Sequence, residues 1–306
     1  MKPIYLTHHD IDKKKWDDCI QRSPNGMVYA ESWYLDIVSP GWNALADADY
    51  RTVFPLTWRK KMGFYYLYQP FFTQQLGIFS GDETVAEKTI HDFLNEIPVQ
   101  YRLVEIQLNS ANTCHYKDFK ISGRLTHHLD LNQSVENIRG SYSENLDRNI
   151  KRAVKSQLEL SFQIKPEEII QIFKENRGKN IDNLGKKEYS MLFDLIHEAK
   201  KRNLITLIGA KTPTGKFCAG AVFLESTHEF IFLFSAADKE SRNTGAMSFI
   251  IDSFINAHAG ETKTFDFEGS MNQNLARFYK SFGSKEVVYL QIKKNNLPAY
   301  VKWFKK

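Results

Sequence analysis

Cysteine is nearly missing from this chain: among 306 residues there are three, Cys19, Cys114 and Cys218. They are far apart, odd in number and without any C-x-x-C spacing, which excludes a disulfide framework and a zinc knot as sources of stability. Three reduced, mostly buried thiols are expected. Long hydrophobic runs are missing too. No stretch approaches the ~20 apolar residues that span a bilayer, and the opening MKPIYLTHHDIDKKKW has no apolar run long enough for a signal-peptide core. These absences predict a soluble, cytoplasmic protein with no membrane insertion. An excess of one charge is also lacking, since 41 basic and 36 acidic residues leave only +5. That balance suits a phosphate-rich ligand but not a dedicated nucleic-acid binder. Low-complexity segments do not occur, and P-loop or Rossmann glycine patterns give no support for other cofactors.

What is present is enough apolar material for two cores, with 42% hydrophobic residues, 22 Phe and 14 Tyr. An internal repeat at an offset of roughly 160 residues supports the same division. Leu103 to Phe119 reads LVEIQLNSANTCHYKDF and Phe265 to Phe282 reads FDFEGSMNQNLARFYKSF. In both, an alternating strand ends in Asn and Tyr-Lys-x-Phe follows, so that Asn109 stands to Tyr116 as Asn272 stands to Tyr279. A helical stretch precedes each, Asp82 to Glu96 and Thr244 to His258, with apolar residues at three- and four-residue intervals.

Upstream again lie strands: Trp42 to Ala46, Tyr50 to Arg59 and Phe64 to Gln69 in the first half, Leu204 to Lys211, Lys216 to Glu225 and Glu229 to Ser235 in the second. Each set reads as an antiparallel meander. Between the halves, Leu125 to Leu131 reads as a strand, and Ser141 opens a helix with Glu144 three residues on, the spacing of a capping box. Leu146, Ile150, Val154 and Leu158 form its apolar stripe, while Arg148, Lys151, Arg152 and Lys155 take the other faces. Pro166 begins another helix, which Gly178 closes. Lys186 to Arg202 forms a third, with Tyr189, Leu192, Phe193, Ile196 and Ala199 on one side and Asn203 as a candidate cap. The fold class is therefore α/β (α+β), two tandem domains at 1–132 and 133–306, each a mixed, mostly antiparallel sheet flanked by helices, with a linking helix at about 141–158.

The second half now resembles a GNAT (N-acetyltransferase-like) domain. Asn272 to Gly283, NQNLARFYKSFG, is similar to the N-x-x-A-x-x-x-Y-x-x-x-G-F signature that closes many acyl-CoA-dependent N-acyltransferases: Asn272, Tyr279 and Gly283 match, whereas Leu275 replaces Ala and Ser284 replaces Phe. The two halves, the linking SENLDRNIKRAVK and the FDFEGS…FYKSFG ending resemble, more narrowly, the FemAB-like branch with its paired GNAT-type domains. The resemblance implies an acyltransferase with acyl-CoA as donor. Its glycine loop, R/Q-x-x-G-x-G/A, corresponds to SRNTGAM, where Arg242 and Gly245 match and Met247 replaces the last small residue. Backbone N–H groups at a helix start would hold the pyrophosphate there. Cofactor-binding candidates are accordingly Ser235, Arg242, Asn243, Thr244, Gly245, Ala246 and Asn272. A helix-start turn with nothing bound is the plain alternative.

In the GNAT pattern Tyr279 sits near the cofactor sulfur and protonates the departing thiolate, a role that needs a phenol within hydrogen-bond reach. A packed tyrosine serving the fold is its plain alternative, because Tyr116 repeats it. Asp266 and Glu268 alternate along one strand and so share a face. Either carboxylate is a candidate to take the proton from an attacking amine, or simply to pair with a basic neighbour. Ser270, Arg277 and Lys280 are substrate-contact candidates, although Ser270 and Asn272 equally suit a helix cap.

His8-His9 and His127-His128 point to opposite faces if they lie on strands, so no metal is expected. The leading functional expectation is acyl transfer to a small-molecule or peptide amine in a cleft between the domains. The alternative implied by the Fem branch is transfer of an aminoacyl group from tRNA to a cell-wall peptide, the only case in which nucleic acid is a partner. Many tRNA-reading Fem enzymes carry a long helical hairpin, and no such pair of heptad-like helices is visible here. A third alternative is a non-catalytic binding protein on the same scaffold.

Overall fold

The computed structural model describes residues 2–81, 83–178, 184–269 and 271–299, with Arg242 described by its backbone alone. The chain divides into two compact units, Met1–Leu125 with Val287–Lys306, and Thr126–Glu286. The division thus falls at 125/126, where 132/133 was expected, and the C-terminal segment returns to the first unit.

The first unit begins with β1 (Ile4–Leu6), α1 (Lys13–Arg22) and α2 (Ser32–Val38). His8 and His9 lie in a 3-10 turn, His8–Asp10, and not on a strand. In α1, Trp16, Cys19 and Ile20 recur at three and four residues and are buried, and the Asp12 side chain caps the helix by accepting from Lys15 N–H. β2 (Asn43–Ala46), β3 (Thr52–Leu56), β4 (Trp58–Lys61), β5 (Phe64–Tyr68) and β6 (Phe79–Ser80) follow, then α3 (Glu87–Asn95) and β7 (Tyr101–Gln107). The expected first residue of the third helix, Asp82, lies outside the described residues.

The single strand expected from Tyr50 to Arg59 is two. β3 joins a small sheet in the order β1-β2-β3-β6, whereas β4 pairs with β5. Pro55 has no N–H to offer a ladder, and at Thr57 the chain turns: its hydroxyl donates to the Tyr68 carbonyl at 2.6 Å and its carbonyl accepts from Tyr68 N–H at 3.1 Å. β5 and β7 run parallel, with α3 as the crossover.

β8 (Lys120–Asp130) leads into the second unit, followed by α4 (Val135–Gly140) and α5 (Glu144–Lys155). Ser143 caps α5 by accepting from Leu146 N–H at 3.3 Å, whereas Ser141, the expected cap, ends α4, with its hydroxyl donating to the Ile138 carbonyl. The buried stripe of α5 also differs from the expected one, since Leu146 and Ala153 are buried but Val154 is 60% exposed. Each four-residue step overshoots a helical turn by about 40°, so a strict i+4 series drifts off the buried face.

β9 (Glu159–Ser161), α6 (Pro166–Glu175, with Pro166 at its first position) and α7 (Lys186–Lys201) come next. Asn176, not Gly178, caps α6, and Phe193 of α7 is partly exposed. Asn203 takes the left-handed conformation just past α7, at φ 58°. β10 (Ile205–Lys211), β11 (Phe217–Glu225) and β12 (Glu229–Ala237) form the expected antiparallel meander. α8 (Lys239–Thr244), α9 (Ala246–His258), β13 (Thr264–Asp266), α10 (Gln273–Lys280) and β14 (Lys285–Asn295) complete the chain.

The strands of the second unit lie in the order β8-β13-β12-β11-β10-β9, and only β12 and β13 are parallel. Phe265 and Phe267 turn to one face of this sheet, with Phe223 stacked on Phe254 of α9 at 3.9 Å, and make the centre of the core. His128–Asp130 of β8 pair antiparallel with Thr264–Asp266 of β13, while β14 pairs with β7 of the first unit through Gln291 to Asn295. β8 of the first half of the chain thus serves the second unit and β14 of the second half serves the first, which is why a single cut at 132/133 does not separate the units. All three cysteines are free and buried.

Candidate active site

β12 and β13 pair over three residues only, Glu229–Ile231 against Thr264–Asp266. β13 then ends, while β12 continues to Ala237 and is bent by a register shift opposite Val222/Phe223. No described strand covers that side of β12 beyond Ile231. A cavity of about 520 Å³ opens at the gap, with Ser235 and Ala237 of β12 on one wall, Asn176 and Arg177 past α6 on another, and Asn272 and Tyr279 at the ends of α10. Backbone N–H and C=O groups along such an edge need partners, which an extended, amide-bearing ligand supplies as an added strand does.

Tyr279 is brought to the cavity by α10. The Asn272 side chain caps this helix by accepting from Asn274 and Leu275 N–H. Tyr279, 7% exposed, packs its ring against Phe267 at 5.1 Å and His127 at 5.9 Å. Burial, and then the nearby charge of Glu268, push its phenol well above the usual tyrosine range. It is therefore a protonated hydroxyl at neutral pH, able to donate a proton but not to act as a base. The Arg177 charge acts on the same phenol in the opposite sense.

Asp266 and Glu268 do not share a face. The strand ends at Asp266, and Glu268 and Gly269 both sit at φ 48°, a left-handed conformation that a glutamate rarely adopts. Asp266 holds this turn: its Oδ1 accepts from Thr126 Oγ1 at 2.5 Å and from Glu268 N–H at 2.8 Å. Asp266 is thus engaged in positioning, and it does not line the cavity. Glu268 keeps part of its surface open, yet lies deep enough that burial raises its carboxyl to about 8.

The expected pyrophosphate loop takes another form. Residues 239–244 are helical. Gly245, at φ 79°, lies so close to α5 that an added Cβ would stand 2.2 Å from the Asn149 carbonyl oxygen. Asn243 is exposed with its carbonyl accepting from Arg152, the Thr244 hydroxyl donates to the Ser241 carbonyl, and Ala246 is fully buried at the start of α9. None of Asn243, Thr244, Gly245 and Ala246 lines the cavity, whereas Lys239 and Met247 on either side do. Arg242 lies in α8, and its side chain is outside the description.

Ser270 lies outside the described residues. Arg277 and Lys280 are exposed on α10, away from the cavity lining, and Lys280 pairs with Glu286 at 2.8 Å. The cavity therefore brings together Ser235, Asn272 and Tyr279; Glu268, like Asp266, is not in its lining, and acts on the phenol through its charge. Sequence reasoning missed Arg177, because a basic residue after a helix reads as a partner for its dipole. Arg148, Lys151, Arg152 and Lys155 are exposed on α5.

No family model and no curated protein matches this sequence. Solved structures do match. FemX aligns over 98% of this chain and 99% of its own at a TM-score of 0.69 and 12% identity. A tandem GNAT protein from the clavulanic acid biosynthesis pathway aligns over 97% and 100% at a TM-score of 0.56 and 10% identity. L-PGS from Bacillus licheniformis aligns over 88% and 89% at a TM-score of 0.53 and 13% identity. The chain has the FemAB-like, tandem GNAT fold. That fold accounts for the repeat read from the sequence, since a hairpin, a crossover helix and a parallel strand occur in each unit: β4-β5-α3-β7 and β11-β12-α9-β13. No described helix is long and apolar enough to cross a membrane.

Proposed function

We propose that this chain is an acyltransferase that moves an acyl group from an activated carboxyl donor, an acyl-CoA thioester, to a small-molecule or peptide amine at the gap beside β12. The observation that carries the reading is the uncovered β12 edge leading to a buried, protonated phenol with a carboxyl next to it. The two amides of a pantetheine arm complement the free backbone groups of a strand edge. The amine nitrogen attacks the acyl carbon, a nitrogen–carbon bond forms, and Glu268, in the ionised fraction that its carboxyl raised to about 8 leaves near neutral pH, takes the proton that the nitrogen sheds and passes it to solvent. The carbon–sulfur bond breaks as Tyr279 O–H protonates the departing thiolate, and the phenolate recovers its proton from solvent. Arg177 offers positive charge to the oxygen that becomes negative in between.

A second reading, an aminoacyl-tRNA donor with a cell-wall peptide as acceptor, draws on α8. With 239–244 helical and Gly245 pressed on α5, the start of α9 is not the open anion cradle a standard CoA pose uses. Thermal unfolding with each donor separates the two. The first reading expects acetyl-CoA to raise the unfolding temperature of the wild type and not of a Ser235→Trp variant, which fills the groove. A rise with charged tRNA alone selects the second, and no response to either donor, with product absent from both reactions, would sink the transferase assignment.

A further inference from the structure

A separate group of side chains lies on the sheet face opposite Tyr279. In the strand register Asp266 stands beside His128 of β8 and Ile231 of β12, and Glu229 is two residues before Ile231. Alternation puts His128, Glu229 and Asp266 on one face, each from a different neighbouring strand. His127 points the other way, toward Tyr279. One ligand-type atom from each of the three lies within 4.8 Å of the others. His128 Nε2 stands 3.4 Å from Asp266 Oδ2, close to the spacing of about 3.4 Å that two ligands adopt around a tetrahedral Zn²⁺ at about 2.1 Å.

A second, independent observation concerns the polar accounting. Glu229 Oε1 is buried and finds no hydrogen-bond partner among the described residues, and the buried His128 Nε2 has only the Asp266 carboxylate, at 3.4 Å. Orphaned buried polar atoms are costly, and two carboxylates side by side in the interior add mutual repulsion. A proton on Glu229 would remove one charge, and one on His128 would pair the imidazole with Asp266 at 3.4 Å, but Glu229 Oε1 would still lack a partner. A divalent cation gives Glu229 Oε1 a partner and offsets the repulsion between the two carboxylates at once.

We propose that His128, Glu229 and Asp266 bind one divalent first-row metal ion, with Zn²⁺ the matching case, and that its fourth position faces water. Asp266 presents Oδ2 to the ion because Oδ1 is held by Thr126 Oγ1 and Glu268 N–H, the outer-shell support that orients a ligating carboxylate. The His128 side chain is 23% exposed, which gives the ion a route in. Through Asp266 the ion stiffens the turn that carries Glu268. The proposal does not depend on the acyltransferase reading, because metal uptake is read without any donor.

The full chain, treated with EDTA and dialysed, is titrated with ZnCl₂ in a calorimeter. One equivalent should bind, with a rise in unfolding temperature, and Co²⁺ in its place should give a visible absorption band of low-coordinate geometry. Glu229→Gln, which keeps the shape, and His128→Asn should each weaken binding on the order of tenfold or more with the circular dichroism unchanged. If His128→Asn fails to fold, Glu229→Gln carries the comparison. No uptake by the wild type overturns the proposal, as does wild-type affinity in the variants, which would place the ion elsewhere, for example at Glu87 with His91 and His115.

Discussion

Tyr-Lys-x-Phe occurs twice in this chain, at Tyr116 and at Tyr279, and the two copies have different physical surroundings. Tyr279 rides on α10 and presents a buried phenol to an open cavity. Tyr116 lies in an irregular segment, its ring 4.8 Å from His91 and its hydroxyl donating to Asn95. The parallel strand pairs differ in the same way. Beyond β5 the chain covers its own gap: Gln69 Oε1 accepts from Gln107 N–H, and Leu76 bridges to Leu108. Beyond Ile231 of β12 the gap stays open. A repeated string therefore marks a shared origin of shape, and whether it can do chemistry depends on whether the neighbouring strand edge is left free.

The most direct way to break this comparison is to remove the two hydroxyls in turn. Tyr279→Phe should lower turnover on the order of 10²-fold or more, the usual scale of a lost general acid, while Tyr116→Phe leaves turnover unchanged. Equal effects of the two on steady-state rates would remove the distinction. Glu268→Gln should lower turnover on a similar scale, with the affinity for the donor little altered. A large loss of donor binding with turnover at saturation intact would assign Glu268 to positioning instead.

Much of the second unit was legible because its signals are local. The meander strands are apolar runs split by turn residues, and α9 and α10 carry helical periodicity, so Tyr279 and Asn272, which line the cavity, were placed on the right element. The rest depends on contacts distant in sequence. Asp266 and Glu268 obey the alternation rule until the strand stops, and only the bond from Glu268 N–H to Asp266 reveals that the chain turns left-handed there. Val154 fits an i+4 stripe, but it is Ala153 that is buried in the core cluster shared with α9. Gly245 matches a phosphate loop in composition, whereas its role is to let the carbonyl of Asn149 come close. His128, Glu229 and Asp266 lie far apart in the chain and meet only through the order of three strands.

The asparagines that precede the two tyrosines extend the comparison to stability. In the first unit, Asn112, three residues past Asn109, is fully buried: its Oδ1 accepts from Ile78 N–H at 2.7 Å and its Nδ2 donates to the Ile78 carbonyl at 3.0 Å. Asn112→Ala leaves the Ile78 N–H buried without that bond, while the Ile78 carbonyl still accepts from Asn25 Nδ2 at 3.0 Å, and should cost about 1–3 kcal/mol in urea unfolding. Asn272 is an exposed helix cap, and Asn272→Ala should cost about 1 kcal/mol. Smallest of all is the stability effect of Tyr116→Phe. It removes one half-buried hydroxyl that water can replace at Asn95, while the ring keeps its place beside Phe119 at 5.5 Å. A loss of about 0.5–1 kcal/mol is expected. A much larger loss would mean that Tyr116 anchors its segment as Asn112 does, so that the first copy of the string was retained for the fold by its hydroxyl and not by its ring.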